Sequence, residues 1–238
     1  MAGSTEILFL AVGCFVGGHF VLSSVNVRTA LIGVLGETLF RGVYSLTAVA
    51  AMVWTVIAYG AAPHVELWTA DMGLTHVPAI LMPFASILAV AGMTTRTVTT
   101  VGGETLAQGP HPVAGIVTVT RHPFLWAVAL WAVGHIAANG DVSSLILFGG
   151  MTVLALGGMA HIDHRRRLSL GADWGPVAMT TSVVPFLATI QGRNRIDWRG
   201  IGWPRVIGGV ALAAVLPFLH PWISGKTIVP EFVLQLFR

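Results

Sequence analysis

The sequence predicts an all-α fold, a polytopic membrane helix bundle. Of its 238 residues, 55% are hydrophobic and only 10% are charged, and the mean hydropathy is +0.79. The apolar residues form runs of about 20, the length that a helix needs to cross a bilayer. The basic residues lie between these runs, where membrane topology explains the formal net charge of +3. This composition argues against a soluble globular domain and a nucleic-acid partner.

Six apolar segments are predicted to span the lipid bilayer, and with no repeat or soluble domain between them, residues 1–238 are expected to form a single transmembrane domain. The segments cover residues 5–24, 40–61, 76–93, 123–140, 143–160 and 205–223. No Lys or Arg precedes the first segment, unlike in a signal peptide, so we expect it to stay in the mature protein. A seventh apolar piece, residues 176–190, is short and contains Pro185, which favours a re-entrant or interfacial segment. The region 161–204 that contains it is expected to pack back onto the bundle.

The basic residues alternate between connections. Eleven of the 13 Lys and Arg residues lie in or beside the connections after the first, third and fifth spans, and the connections after the second and fourth contain none. Positive charges concentrate in cytoplasmic loops of membrane proteins. The pattern therefore predicts a multi-pass protein of the bacterial inner membrane with both termini on the outer, periplasmic side.

The stretch TRHPFLWAVALWAVGHIAANGD, residues 120–141, opens the fourth span. Pro123 suits a first helical turn, because its missing N–H would be unpaired there. Two of the nine histidines, His19 in the first span and His135 in the fourth, are predicted to lie within the hydrocarbon. Ionisable side chains at that depth are candidate functional residues.

Glycines stand beside both of these histidines. Gly17 and Gly18 precede His19, and Gly134 precedes His135. Small neighbours let a flat macrocycle approach the backbone, and two imidazoles from different helices can bind one iron from opposite sides. These spacings suggest a haem site with His19 and His135 as metal ligands. Alternatively, the glycines permit close helix packing and each histidine hydrogen-bonds a neighbouring helix.

The two histidines differ in predicted depth. At about 1.5 Å per residue, His135 lies roughly 18 Å from the cytoplasmic end of its span, and His19 only roughly 8 to 10 Å from its own. A tilted helix or ring could absorb the difference; otherwise His122 is the next candidate to face His19. Phe15 and Trp131, one turn before the two histidines, could wall such a pocket.

Polar residues at the cytoplasmic edge offer further candidates. Arg41 and Arg121 are candidate cofactor-binding residues for propionates or another anion, although lipid headgroups and positive-inside anchoring would also explain them. His161, Asp163 and His164 have the composition of a metal cluster. Position i+2 points away on a helix, however, and three arginines follow, so we do not expect a metal there.

Four motifs resemble the NnrU family of bacterial membrane proteins: RHPFLWAVALWAVGHIAANGD, SLILFGGM, GGHFVLSSVNVR and FRGVYSL. The resemblance covers about residues 5–190 and is most specific in the fourth span. The family is associated with nitrite and nitric oxide respiration in denitrifying bacteria, and it includes the plant and algal 15-cis-zeta-carotene isomerases.

The resemblance implies a non-covalent haem b. Proteins of the carotenoid branch are understood to be b-type haem proteins that isomerise a cis double bond without net redox change. His135 matches the haem-ligand histidine of that branch, and His19 matches the histidine of its first span. In the isomerases a cysteine lies three residues before the span-four histidine, where this chain has Ala132. Thiolate ligation by that route is therefore excluded, which argues against isomerase chemistry and leaves bis-histidine haem.

The sequence thus predicts a haem b-binding membrane protein linked to denitrification, as a nitric oxide sensor, electron carrier or assembly factor. A haem-dependent cis-trans isomerase of a carotenoid-like polyene is one alternative, and a structural subunit of a respiratory or other membrane complex is another. The RHP triplet also opens helices in isoprenylcysteine methyltransferases, where it helps to bind S-adenosylmethionine. A methyltransferase is a weaker alternative, because Glu231 stands alone where those enzymes carry an acidic pair.

Overall fold

A computed structural model describes residues 3–229. This part of the chain is mainly helical and contains no strand, only one isolated bridge between Glu66 and Asp141. Glu231 lies outside the described residues. The helices are α1 (Thr5–Ser23), α2 (Val25–Leu35), α3 (Glu37–Ala61), α4 (Met72–Thr94), α5 (Pro123–Asn139), α6 (Val142–Leu170), α7 (Trp174–Thr180), α8 (Leu187–Ile190), α9 (Trp198–Ile201) and α10 (Trp203–Ser224). Short 3-10 turns at Glu104–Gln108, Gly115–Thr118 and Gly171–Asp173 complete the described elements.

The predicted all-α membrane bundle is confirmed, with five helical segments long and apolar enough to cross a bilayer. These contain α1, α3, α4, α6 and α10. The predicted fourth span, α5, has 17 residues, at the lower limit for a crossing helix. Pro123 begins this helix, and Gly140, in the left-handed conformation with φ 64°, ends it. The count of six spans therefore stays a prediction, as does the side of the membrane on which the termini lie.

A short turn joins α5 to α6 and is hydrogen-bonded to the connection between α3 and α4. The Asp141 carboxylate accepts a hydrogen bond from the Ser144 N–H at 2.9 Å and so caps α6. The Gly140 carbonyl accepts hydrogen bonds from the N–H groups of Leu67 and Trp68. These bonds fix the ends of α3, α5 and α6 at one end of the bundle.

The long helices pack as neighbours in the order α3, α1, α6, α5, α4 and α10. Glycines mark the close approaches between α4 and its neighbours. Gly134 of α5 lies against Pro78, and Gly209 of α10 lies against Ile87. Gly92, nearer the end of α4, lies against Phe124 near the start of α5. Arg205, near the start of α10, donates to the Thr94 hydroxyl at the end of α4. Helices α5 and α10 therefore both run antiparallel to α4 and end at the same end of the bundle.

The three basic connections meet at the opposite end, which we call the arginine end and define by Arg28, Arg41, Arg121 and Arg165. His161 of α6 donates from Nε2 to the Ser23 carbonyl of α1 at 2.9 Å. Other bonds join these connections to one another, including the ion pair of Arg121 with Asp163 and that of Arg166 with Glu104. The sequence grouped these loops by charge, and the structure places them together.

The segment after α6 packs back onto the bundle, as the sequence predicts. The predicted re-entrant or interfacial piece forms α7 and α8, which are too short to span a membrane. Trp174 and Val177 of α7 are buried against Val98. The Trp126 side chain donates to the Val183 carbonyl at 2.7 Å, which ties this layer to the start of α5.

Candidate functional site

A cavity of about 2130 Å³ lies between the helices and is lined mostly by apolar side chains of α1 to α6 and α10. Ligand pockets in proteins usually measure about 300–1,000 Å³, so this one has room for a large or elongated molecule. His19 and His135 both line it. Its polar ends differ: Arg28, Arg41 and Arg165 line the arginine end. The other, which we call the His220 end, is lined by His220, Ser224 and Lys226.

Helix α1 presents His19 to the cavity in a defined tautomer. The ring Nδ1 lies 2.7 Å from the Phe15 carbonyl oxygen one turn earlier. Because a carbonyl oxygen only accepts, Nδ1 carries the proton and Nε2 of the neutral ring keeps a lone pair. Nε2 has no hydrogen-bond partner among the described residues. Phe15 and Tyr44 contact the ring edge-on, with ring centres 4.5 and 5.6 Å away.

Helix α5 presents His135 in the same way. Its Nδ1 donates to the Trp131 carbonyl oxygen at 2.7 Å, and within the described part of the chain Nε2 makes no hydrogen bond. The rings of Phe148 and Trp131 lie 4.8 and 5.1 Å from its own. Phe15 and Trp131 thus wall the cavity beside the two histidines, as their spacing predicts.

The sequence analysis did not single out a third histidine, His220 of α10, which also lines the cavity. The His220 and His135 rings have centres 6.4 Å apart and an interplanar angle of 19°. His220 Nδ1 lies 3.0 Å from the Lys226 carbonyl oxygen and 2.8 Å from the Ser224 hydroxyl. The sequence offered one signal for this pair. Each histidine stands four residues before the last residue of its helix, so the two lie at a similar depth in the bundle.

The glycines beside the histidines have different surroundings. A Cβ added at Gly17 or Gly18 would meet nothing within 4 Å, and the same holds for Gly13 of the GxxxG pattern. A Cβ at Gly134 would lie 3.4 Å from the Pro78 Cα atom. Gly134 therefore serves the packing of α5 on α4, whereas Gly17 and Gly18 leave open space. Both membrane-depth histidines bond their own helices rather than a neighbour.

Arg41 lines the arginine end of the cavity with two other arginines. Its Nε donates to Glu37 Oε1 at 2.9 Å, and Arg28 donates to the same oxygen at 2.7 Å. Arg165 makes no hydrogen bond or ion pair with the described residues, although it lies near Arg28 and Tyr44. Positive charge at this end therefore exceeds negative charge, which favours an anionic group.

Arg121 and His122 lie elsewhere, in a buried network around Asp163. An Arg121 nitrogen is 3.0 Å from one Asp163 oxygen, and His122 Nε2 is 2.8 Å from the other. Arg121 also donates to the Thr181 hydroxyl at 3.1 Å and lies over the Trp174 ring. Burial lowers the pKa of Arg121, while the Asp163 charge acts in the opposite direction. Neither residue lines the cavity, so Arg121 does not join Arg41, and His122 does not face His19.

The three residues of the candidate metal cluster on α6 make different contacts. His161 bonds Ser23, Asp163 bonds Arg121 and His122, and His164 is exposed. No group of three or more His, Cys, Asp or Glu side chains suited to a metal ion occurs in residues 3–229.

A protein-family model described as "NnrU protein" matches residues 7–228. The chain belongs to the NnrU family. It is also similar to the "15-cis-zeta-carotene isomerase, chloroplastic" of Arabidopsis thaliana, with 26% identity over 116 residues. That alignment covers 48% of this chain and 32% of the plant protein, so this NnrU chain matches about a third of that relative. No solved structure matches.

Ala132, one turn before His135, is fully buried in a cluster with Phe15, Phe148 and Met151. The single thiol, Cys14, is exposed on α1 and does not line the cavity. No cysteine in this NnrU chain is therefore placed to act beside His135.

Proposed function

We propose that this NnrU-family chain binds one non-covalent haem b in the cavity and acts there on an elongated apolar ligand. The observation that carries the proposal is the cavity itself, which has two histidines in its wall whose Nε2 atoms make no hydrogen bond within residues 3–229. Its wall residues fit a haem. Imidazoles that ligate metals through one nitrogen usually donate the other N–H to a carbonyl or carboxylate, and His19 and His135 both do so.

His135 is the first candidate ligand in this proposal, and His19 is the second ligand that the sequence predicts. Phe15, Trp131 and Phe148 form the apolar wall around them. Arg41, together with Arg28 and Arg165, supplies positive charge at the arginine end for a carboxylate. Arg121 is a weaker candidate for that role, since Asp163 already neutralises it.

The size and apolar lining of the cavity favour a polyene-like ligand. Transfer of an apolar chain from lipid or water into such a space needs few polar contacts. Rotation about a double bond transfers no proton or group, so the wall needs no general acid or base. Glu104, a carboxylate that lines the cavity, is paired with Arg166. When bound, a haem would supply the electronic interaction with the double bond, and the chain would hold and orient both molecules.

A cis-trans isomerase is favoured over a methyltransferase, because Arg121 and His122 of the RHP triplet lie outside the cavity. The absence of a cysteine at Ala132 means that any isomerase chemistry here would differ from the thiolate route. The link to nitrite and nitric oxide respiration, a membrane-complex partner and the bacterial inner membrane location stay predictions from the family resemblance and the charge pattern.

The first experiment is an absorption spectrum of the detergent-purified full chain, oxidised and dithionite-reduced, with a pyridine haemochrome assay. We expect a b-type signal near one haem per chain, and loss of haem in His135→Ala. His76→Ala is the control, because His76 is exposed and does not line the cavity. Reduced protein would then be incubated with a 15-cis polyene and the isomers separated by chromatography. A protein that stays colourless after haem supplementation would contradict the proposal.

A further inference from the structure

We infer that the arginine end of the cavity binds an anionic membrane lipid. The phosphate of the lipid headgroup is held by Arg28, Tyr44 and Arg165, and an acyl chain lies against the apolar wall of the cavity. This inference goes beyond the proposed function and does not depend on a bound haem. Arg41, which the sequence selects for a propionate or another anion, is left for that role.

The arginine end carries more positive than negative charge. Four arginines line the cavity there: Arg28, Arg41, Arg165 and Arg166. Glu37 is paired with the first two of these and Glu104 with the last, so four positive charges meet two carboxylates. Within residues 3–229, Arg165 has neither a hydrogen bond nor an ion pair. Its guanidinium is therefore free to bind a phosphate through two N–H groups.

Three helices bring phosphate-binding groups together at this end. Arg28 extends from α2, Tyr44 from α3 and Arg165 from α6, and all three line the cavity. Arg165 lies close enough to the other two for its charge to act on both. The Arg28 guanidinium lies 5.4 Å from the centre of the Phe40 ring, and the Tyr44 ring packs against His19. In the described part of the chain the Tyr44 hydroxyl has no hydrogen-bond partner, so it can donate to a phosphate oxygen.

An apolar wall begins directly beside these groups. It follows α3, whose Tyr44, Met52, Val56 and Tyr59 line the cavity over about 22 Å, at about 1.5 Å per residue. The cavity also reaches the surface of the bundle at the arginine end, because Val101 and Leu168 line it and are 78% and 59% exposed. A lipid can therefore place its headgroup at this end and an acyl chain along α3.

The position of the arginine end along the bundle suits a lipid headgroup. The connections after the first, third and fifth predicted spans meet here, and their charge predicts that they face the cytoplasm. Anionic lipids give the cytoplasmic leaflet its negative surface potential, and basic pockets between membrane helices on that side bind their headgroups. A free phosphate would use the same arginines but not the apolar wall, so the lipid is the expected source of the phosphate.

The test measures lipid retention by the full-length chain, purified in a neutral detergent. Phosphatidylglycerol or phosphatidylcholine with the same acyl chains is added, and native mass spectrometry counts the bound lipids. We expect the wild type to favour phosphatidylglycerol by about tenfold and Arg165→Gln to lose that preference, because a charge-assisted partner of the phosphate is removed. Tyr44→Phe should weaken phosphatidylglycerol binding about threefold. Arg199→Gln is the matched control, because Arg199 is exposed and does not line the cavity.

Thermal unfolding checks that each variant is folded and separates the two sources of phosphate. Phosphatidylglycerol should raise the unfolding midpoint of the wild type but not that of Arg165→Gln, and glycerol phosphate, which lacks acyl chains, should change neither. An equal rise with glycerol phosphate would assign the site to a free anion and overturn the lipid.

Equal retention of the two lipids by the wild type would also overturn this inference. So would an unchanged preference in folded Arg165→Gln, or an equal loss of preference in Arg199→Gln. A wild-type chain that binds no haem but prefers phosphatidylglycerol would overturn the proposed function alone.

Discussion

Arg121 and Asp163 form an ion pair of 3.0 Å in which both side chains are largely buried, 10% and 14% exposed. The pair joins the start of α5 to α6, and the Arg121 contact with Thr181 adds the segment after α7. Arg121 belongs to the RHP triplet, which could have bound a substrate. In this chain it instead holds the arginine end of the bundle together.

Removing Asp163 is expected to destabilise the chain strongly. Asp163→Ala leaves the buried Arg121 and His122 without their shared partner, and breaking a buried pair in this way costs about 3–5 kcal/mol. Thermal unfolding in detergent would measure the loss. Glu37→Ala is the matched control, because Glu37 is 40% exposed and surface ion pairs contribute at most about 1 kcal/mol. Equal effects of the two substitutions would contradict this assignment.

Two glycine-to-alanine substitutions should differ in their effect on the stability of the bundle. In Gly209→Ala the new Cβ would clash with the Ile87 backbone, whose N atom lies 2.8 Å away. Separating α10 from α4 should destabilise the bundle by about 1–3 kcal/mol. Gly13→Ala meets nothing within 4 Å and should be neutral or stabilise α1 by about 0.5–1 kcal/mol. Midpoints of detergent-induced or thermal unfolding would separate the two, and a stable Gly209→Ala protein would argue against the close α4–α10 contact.

Protonation of Asp197 should lower the folding stability of the chain at acidic pH. Its carboxylate accepts hydrogen bonds from the backbone N–H groups of Gly115 and Gly200, both at 2.9 Å. These bonds lower the pKa of Asp197 below its usual value of 3.8. Since the folded pKa is the lower one, the stabilisation is fully present above the unfolded pKa and is lost as pH falls through the folded pKa.

Asp197→Asn should reduce the loss of folding stability that occurs as the pH falls. Unfolding measured across the acidic range would compare it with wild type, and Asp173→Asn, whose carboxylate accepts from the Gln108 side chain, serves as the control. Asp197→Ala should also cost about 1 kcal/mol at neutral pH, because Asp197 caps α9. An unchanged acid limb in Asp197→Asn would exclude the proposed role of this carboxylate.

The predicted topology can be tested by labelling single cysteines in a Cys14→Ser chain. Because eleven of the 13 basic residues flank the first, third and fifth connections, a cysteine at Gly109 should be shielded from a membrane-impermeant reagent added outside intact cells. A cysteine at Leu67 should react. The same side for both positions would contradict the alternating orientation, and a cysteine at Ser4 tests the position of the N-terminus.

The sequence by itself determined the fold class, the approximate limits of the long helices, the grouping of the arginines and the family. These follow from local properties, since apolar runs of about 20 residues form membrane helices and Pro123 and Gly140 delimit α5 wherever that helix lies. It also singled out His19 and His135, because an ionisable residue within an apolar run is detectable without any contact map.

Only the tertiary structure decided which of these residues share a cavity. It placed His220 beside His135, since the antiparallel packing of α5 and α10 on α4 brings together residues far apart in sequence. It also paired Arg121 with Asp163, because α6 extends beyond its predicted span to Leu170 and carries that carboxylate under the α4–α5 connection. Apolar periodicity records that a helix is embedded, but the partner that each polar side chain meets depends on how neighbouring helices are arranged around it.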